Sequence, residues 1–392
     1  MDFTALKHFM DHMAQNRTPG NAVEVYLGGE RVFRYACGYS NLEKRIPMTG
    51  EEIFNIFSCS KVATVTAGAQ LLERGEFLLT DPLYAYMPEF KEMYIKCPDG
   101  HLEKAKNPIR IGDLFSMTAG FTYDTDTEGF QKARQITEGK MDTVEVIRCM
   151  AADPLVFEPG THWRYSLCHD VLAAVISVIS GKKFREYMKD NIFEPLGMED
   201  SGYHQTPETW ERTAEMYSFI REGAAPADPV EAQTMGCAET KGSFKNIGKQ
   251  VSYVFGEEYD SGGAGIITTV SDYAKLAAAL ANGGVGATGE RILSPYTIHL
   301  MRTNRLGPEQ IKDFSWAQLA GCGYGLGVRT HMDPAKSGLI CNLGEFGWGG
   351  AAGSSIIVDP DIGLGVFYAQ HCQNPREEYY QPRLRNLLYT CL

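Results

Sequence analysis

Strand-forming runs at both ends of the chain enclose a long middle that reads as helix, and that order limits the fold more than any other feature. Near the start, a helical stretch over 2–15 gives way at Arg17-Thr18-Pro19-Gly20 to two apolar-rich runs, 23–27 and 31–36, joined by Gly28-Gly29-Glu30. Two glycines between such runs are a hairpin signal. Toward the end, a helix over 272–281 and the turn Asn282-Gly283-Gly284 lead to runs over 324–330, 354–358 and 364–370 that again read as strands. A polar helix over 375–390 closes the chain, and no internal repeat is evident. From about residue 81 to 259 the pattern is largely helical, with loops at Pro88, Pro108, Pro159-Gly160 and Pro195-Leu196-Gly197. The predicted class is therefore α/β (α+β), with an α/β domain built from 1–80 and 260–392 and a helical domain over 81–259.

A chain of 392 residues exceeds the usual size of one core, so two intimately packed units or one composite domain is expected. Its formal net charge of −12 disfavours nucleic acid and anionic membrane surfaces as partners, because both need a basic footprint. The first ten residues lack a signal-peptide layout and no apolar run approaches a membrane span, so a cytoplasmic location is expected. The ten cysteines (37, 59, 97, 149, 168, 237, 322, 341, 372 and 391) contain no Cys-x-x-Cys pair. That scatter argues against a zinc site and fits reduced thiols, most of them small core residues. His8 and His12 share a helix face, but nothing near them completes a metal site. No metal and no cofactor are expected, and the pattern does not set an oligomeric state.

Chemistry concentrates at Phe57-Ser58-Cys59-Ser60-Lys61, where a strand-like run meets a helical one rich in small residues, Ala63, Ala67, Gly68 and Ala69. In a helix, positions i and i+3 share a face, so a helix opening at Ser58 would hold the Lys61 ammonium beside the hydroxyl. A serine hydroxyl needs such a neighbour to become a nucleophile. The bland alternative is an N-capping serine and a surface lysine. A second copy, Ser180-Gly181-Lys182-Lys183, serves as the control: it falls where a helical run over 171–179 ends at Gly181, which turns carbonyls toward the serine. Cys59 adjoins the proposed nucleophile and reads as a buried cysteine facing away from it.

Two later segments offer the remaining groups of an acyl-transfer site. In Pro159-Gly160-Thr161-His162-Trp163-Arg164-Tyr165-Ser166-Leu167, a turn places Tyr165 just before a helical run over 170–179. A phenol of pKa ~10 is about a thousandth ionised at neutral pH, and a nearby desolvated ammonium lowers that value. A tyrosine packed in the core is the alternative. In the second segment, 344–355, glycines flank Trp348, Gly349, Gly350 and Ala351 ahead of an apolar run. Such backbone either approaches a ligand closely or forms a bend at a sheet edge. The chain has no Gly-x-Ser-x-Gly elbow, no phosphate-binding loop and no His-Glu-x-x-His.

Ser58-x-x-Lys61, then Tyr165-Ser166-Leu167, then Trp348-Gly349-Gly350, in that order, resemble the serine β-lactamase and penicillin-binding superfamily, closest to class C β-lactamases and family VIII carboxylesterases. Connecting segments around 81–90, 111–120, 193–198 and 324–327 look like the family too. The resemblance implies an antiparallel sheet flanked by helices beside an inserted all-helical domain, with the site between them. It implies Ser58 as nucleophile, Lys61 as its activating partner, Tyr165 as general base or proton relay, and the backbone amides of Ser58 and Ala351 as oxyanion hole. Where the β-lactamases carry Tyr-x-Asn this chain has Leu167, and where they carry Lys-Thr-Gly it has Trp348, Gly349 and Gly350. Both departures remove polar groups that would hold a β-lactam and leave an apolar wall.

The expected activity is thus that of a serine hydrolase forming an acyl-enzyme, a carboxylesterase on small or hydrophobic esters. A β-lactamase, a D-amino-acid amidase or peptidase and an acyltransferase would use the same groups, and a catalytically silent binding protein would keep only the fold. The expected partner is a small-molecule ester or amide. Tyr123 and Tyr324 are further candidates for the pocket lining.

Overall fold

A computed structural model of the chain describes residues 1–222, 242–249, 255–373 and 376–392. Cys237, the predicted helix start at Pro375 and part of the predicted helical stretch before Tyr259 lie outside them.

The first helix, α1 (Thr4–Asn16), leads into β1 (Gly20–Leu27) and β2 (Glu30–Asn41), which form the hairpin that the Gly-Gly turn predicts, followed by the short β3 (Ile46–Pro47). A central helix, α2 (Ser60–Glu73), is followed much later by α3 (Cys168–Ser180) and α4 (Val270–Ala281). The last third supplies β4 (Cys322–Tyr324), β5 (Arg329–His331), β6 (Phe346–Gly349), β7 (Ser355–Asp359), β8 (Leu364–Gln370) and helix α5 (Glu377–Cys391). These strands join in one antiparallel sheet of order β4-β5-β6-β7-β8-β1-β2-β3, so the two chain ends meet at the β8–β1 ladder.

Alternation along the strands builds two cores. On one face, Val23, Val25, Ile357, Val366 and Tyr368 pack with Leu6, Met10 and Met13 of α1 and with Leu384 and Leu388 of α5. On the other, Ala22, Ile356, Val358, Phe367 and Ala369 join the large core that contains α2, α3 and α4. Every residue of α2 from Ser60 to Leu71 is buried, which its small side chains allow by admitting neighbours on all sides. Among the described residues no helix is long and apolar enough to cross a membrane.

Three readings of the sequence change. The run over 324–330 is two strands, because Gly327 sits at φ +72° and turns the chain between β4 and β5. The glycine-rich stretch around Trp348 contains β6, which pairs on both sides and so lies inside the sheet, not at its edge. The middle of the chain also carries two hairpins, Tyr94–Lys96 with Leu102–Lys104 and Met216–Arg221 with Gly242–Gly248. Their short or polar runs carry little periodic signal.

Helix α4 lies directly on β8, and the contact requires the glycine at 365: a Cβ there would stand 2.5 Å from the Ala278 nitrogen and 2.6 Å from the Ala277 carbonyl carbon. Backbone atoms in a packed helix yield little. Gly365→Ala should lower stability by about 1–3 kcal/mol, read as a fall in the urea midpoint; an unchanged midpoint would show that the helix shifts freely on the sheet.

Candidate active site

Ser58 sits in a 3₁₀ turn, Phe57–Cys59, that runs straight into α2, so the i, i+3 relation to Lys61 holds although the α-helix itself opens two residues later than expected. Three contacts fix this turn. The Tyr273 hydroxyl of α4 donates to the Cys59 carbonyl at 2.5 Å, the Ile266 amide donates to Ser60 Oγ at 3.0 Å, and the Ser354 hydroxyl donates to the Ile56 carbonyl at 3.1 Å. Phe57, buried against Met216 and Ala352, is held at φ +45°, a left-handed backbone that a bulky residue adopts only under constraint. The constraint aims the next residue, Ser58, toward a cavity. Cys59 is buried, its thiol directed at the Trp348 carbonyl 3.6 Å away.

Lys61 is fully buried, and its ammonium donates to Ser58 Oγ at 3.2 Å, to the Tyr123 hydroxyl at 2.8 Å and to the Gly263 carbonyl at 2.7 Å. Burial pulls its pKa down from 10.5 to about 7, against the opposing field of Asp170. Asp170, on the first turn of α3, accepts from the hydroxyls of Tyr259 and Ser261 at 3.0 and 2.7 Å. Ser261 in turn receives the Ala264 amide, which shapes the loop that presents the Gly263 carbonyl. Gly263, Asp170 and this loop were not singled out in the sequence. A polar Asp-Ser-Gly-Gly run reads as an ordinary turn, and only the fold brings it under the lysine.

Tyr165 lies over the same ammonium, with Lys61 Nζ 4.7 Å from its ring centroid. Its hydroxyl accepts from the Trp348 indole at 3.1 Å, and its ring stacks on Trp348 at 5.6 Å and meets Trp316 edge-on at 5.2 Å. Ser58, Tyr165, Trp316, Trp348, Gly349 and Ala351 line a cavity of about 180 Å³, whose far side is polar, formed by Gln318, Glu377 and Gln381. A more open groove of about 870 Å³ adjoins it at Trp316 and Leu319, but neither Ser58 nor Tyr165 lines it.

The turn after β6 is latched to the segment that leads into Ser58: the Gly350 amide donates to the Ser354 carbonyl at 2.8 Å, and Ser354 holds Ile56. That latch brings exposed Ala351 to the cavity beside Ser58. The structure thus gathers Ser58, Lys61, Tyr165, Tyr123, Trp348, Gly349 and Ala351. Leu167 and Tyr324 are placed differently. Leu167 is buried at the start of α3, and Tyr324 has no exposed surface, packing edge-on behind Trp348 at 5.2 Å; Gly350 is buried in the turn.

In the control motif Lys182 and Lys183 are exposed and paired with Asp190 and Glu258, at the end of α3 where Gly181 adopts φ +67°. Nine described cysteines are free thiols. Among the described residues, one set could hold a metal ion: Cys97, His101 and Glu103 on an outer hairpin, with ligand atoms within 4.8 Å of one another.

The buried lysine gives a pH-dependent stability. Its folded pKa lies below its unfolded one, so between about pH 7 and 10.5 the unfolded state binds more protons and stability rises with pH. Below about 7 the penalty is present in full. Lys61→Met removes it, so the stability of this variant relative to wild type should be greatest near pH 6.5 and should shrink by pH 9. Urea midpoints at the two pH values check this, and a difference independent of pH would contradict it.

The family model described as Beta-lactamase matches residues 6–390 of the chain. Protein Rv1367c of Mycobacterium tuberculosis is 30% identical over 347 residues, covering 86% of this chain and 81% of that protein. Esterase EstB of Burkholderia gladioli is 28% identical over 370 residues, covering 91% and 87%. In fold, the chain is similar to EstCE1, described as a hydrolase with promiscuous acyltransferase activity, with a TM-score of 0.76 over 99% of this chain and 98% of that one at 24% identity. With the family model matched over nearly its whole length, the chain belongs to the beta-lactamase family.

Proposed function

We propose that the protein is a carboxylesterase that acts on small, hydrophobic esters through an acyl-enzyme on Ser58. The observation that carries this reading is a lysine pushed to about pKa 7, 3.2 Å from a serine hydroxyl that opens into an aromatic-walled cavity. Near neutral pH about half of such lysines are uncharged. The free amine accepts the Ser58 proton as Oγ bonds to the ester carbonyl carbon, and the oxyanion is held by the backbone amides of Ser58 and Ala351. Collapse breaks the bond to the alcohol oxygen, which leaves with the proton now on Lys61, relayed through Tyr165. Water then attacks the acyl carbon, gives a proton back through the same groups, and the acid leaves Ser58 regenerated.

The residues present favour esters over β-lactams. Trp348, on the cavity wall, stands where a lysine of the Lys-Thr-Gly form would meet a carboxylate, and the sequence position of the asparagine that would hold an amide is taken by Leu167, which is buried away from the cavity, so neither polar group of such a drug finds its partner. The likeness to Esterase EstB supports the same choice. Transfer of the acyl group to an alcohol in place of water shares every step up to the acyl-enzyme, and the acyltransferase activity described for EstCE1 favours testing it with competing alcohols.

Initial rates with p-nitrophenyl acetate, butyrate and octanoate beside nitrocefin test the proposal. Ester turnover should far exceed nitrocefin turnover, favour the shorter acyl groups that a cavity of about 180 Å³ admits, and rise with pH through an inflection near 7 as Lys61 loses its proton. Ser58→Ala should lower it by about a thousandfold or more. Dominant nitrocefin turnover, or activity retained in Ser58→Ala, would defeat the reading.

A further inference from the structure

The cavity beside Ser58 ends on a carboxyl group that the proposed chemistry does not use. Glu377, the first residue of α5, turns its side chain into the cavity, where Oε2 accepts from the Gln318 amide at 2.9 Å. Its other oxygen lies against Gly349: a Cβ on that glycine would stand 3.3 Å from Oε1 and 2.4 Å from the Gln381 amide nitrogen. Any larger residue at 349 would press on this wall, so the glycine keeps the carboxyl open to the space that Ser58 also lines.

The charged neighbours leave this carboxyl without a cation of its own. Arg329, on the same cavity, is bound to Glu345 by two hydrogen bonds of 2.6 and 2.5 Å. Arg385, two turns along α5, donates to the Gln381 side-chain oxygen Oε1 at 3.1 Å, and Glu378 adds a second negative charge beside Glu377. Among the described residues no lysine, arginine or histidine nitrogen comes within 4.0 Å of Glu377. The walls also carry Trp316, Trp348 and Tyr165, aromatic rings whose faces attract a cation electrostatically.

We propose that Glu377, with the aromatic walls around it, forms a subsite for an ammonium group, so that the enzyme prefers esters carrying a positive charge a few bonds from the carbonyl. This rests on the esterase reading and narrows its substrate class. An anionic ester meets a carboxyl, and Arg329, the guanidinium that lines the cavity, is already engaged by Glu345, whereas an ammonium supplies the counter-charge to Glu377. Burial pushes the Glu377 pKa up to about 7, with Glu378 adding to the rise and Gln318 and Arg385 opposing it. The carboxyl is therefore neutral below that pH and anionic above it, and the preference for a cation grows as pH rises.

The test compares kcat/KM for butyrylcholine with that for its uncharged carbon analogue, 3,3-dimethylbutyl butyrate. Lys61 serves both substrates, so its titration cancels in the ratio. In the wild type the ratio should favour the ammonium ester by about tenfold at pH 8 and fall toward one at pH 6. Glu377→Gln should bring it near one at both. A wild-type ratio near one, or a ratio that Glu377→Gln leaves unchanged, would overturn the subsite while the esterase stands. No turnover of either ester or of p-nitrophenyl butyrate would defeat the esterase and the subsite together. Should Glu377→Gln fail to fold, inhibition of wild-type p-nitrophenyl butyrate hydrolysis decides: choline should inhibit more strongly than 3,3-dimethylbutanol, and equal inhibition would overturn the proposal.

Discussion

The burial of one ammonium group organises this molecule. A lysine at the centre of a domain loses its hydration, and the protein replaces that hydration with three oxygens, from Ser58, Tyr123 and Gly263, at 2.7 to 3.2 Å. Those oxygens come from three places in the chain, so the lysine is satisfied only when the turn that carries Ser58, the segment that carries Tyr123 and the loop before α4 are all in position. The loop is held by Asp170, which sits on α3, and α3 packs on α2. Three hydrogen bonds do not restore all that water gave, and the deficit remains as a pKa near 7. The same desolvation that weakens the fold leaves the amine partly uncharged near neutral pH.

The arrangement of the sheet serves this burial. Because β8 and β1 are adjacent, the first and last parts of the chain form one surface, and α4 lies across it with Gly365 allowing close approach. From α4, Tyr273 reaches the Cys59 carbonyl, so the turn that carries Ser58 is tied to the middle of the sheet. From the sheet itself, the turn after β6 reaches Ile56 through Ser354. Ser58 is thus clamped from two sides by elements distant in sequence, and its left-handed neighbour Phe57 is held between them.

Much of this was legible in the sequence, for reasons that differ by residue. The hairpin at Gly28-Gly29 and the strand over 364–370 follow from local signals, and both stand as expected. Ser58 and Lys61 were legible because a helix fixes their spacing, and the control at Ser180 failed because Gly181 ends a helix there. Tyr165 was located by the turn before α3 and by likeness to a family, since a lone tyrosine carries no local signal. Tyr324 looked like pocket lining but packs behind Trp348, a distinction that depends on which face of β4 turns inward. Asp170, Gly263 and Glu377 were invisible because their meaning is positional. Each is an ordinary residue in its own segment and acquires its environment from distant parts of the chain, 59 residues away for Gln318 against Glu377 and 202 for Lys61 against Gly263.

Two ionisable groups near one small cavity are moved toward neutrality by the same cause but from opposite sides. Burial lowers Lys61 from 10.5 to about 7 and raises Glu377 from 4.5 to about 7, and neither figures among the causes of the other's shift. They therefore titrate as separate sites and not as a shared pair. Below pH 7 the lysine is charged and the carboxyl is not; above it the lysine is neutral and the carboxyl is anionic. One positive charge is lost and one negative charge is gained over the same narrow range, so the charge near the cavity falls by two. On the proposed reading, the pH at which Lys61 would serve as a base is also the pH at which Glu377 would serve as a counter-charge, so activation of Ser58 and preference for a cation are expected to rise together.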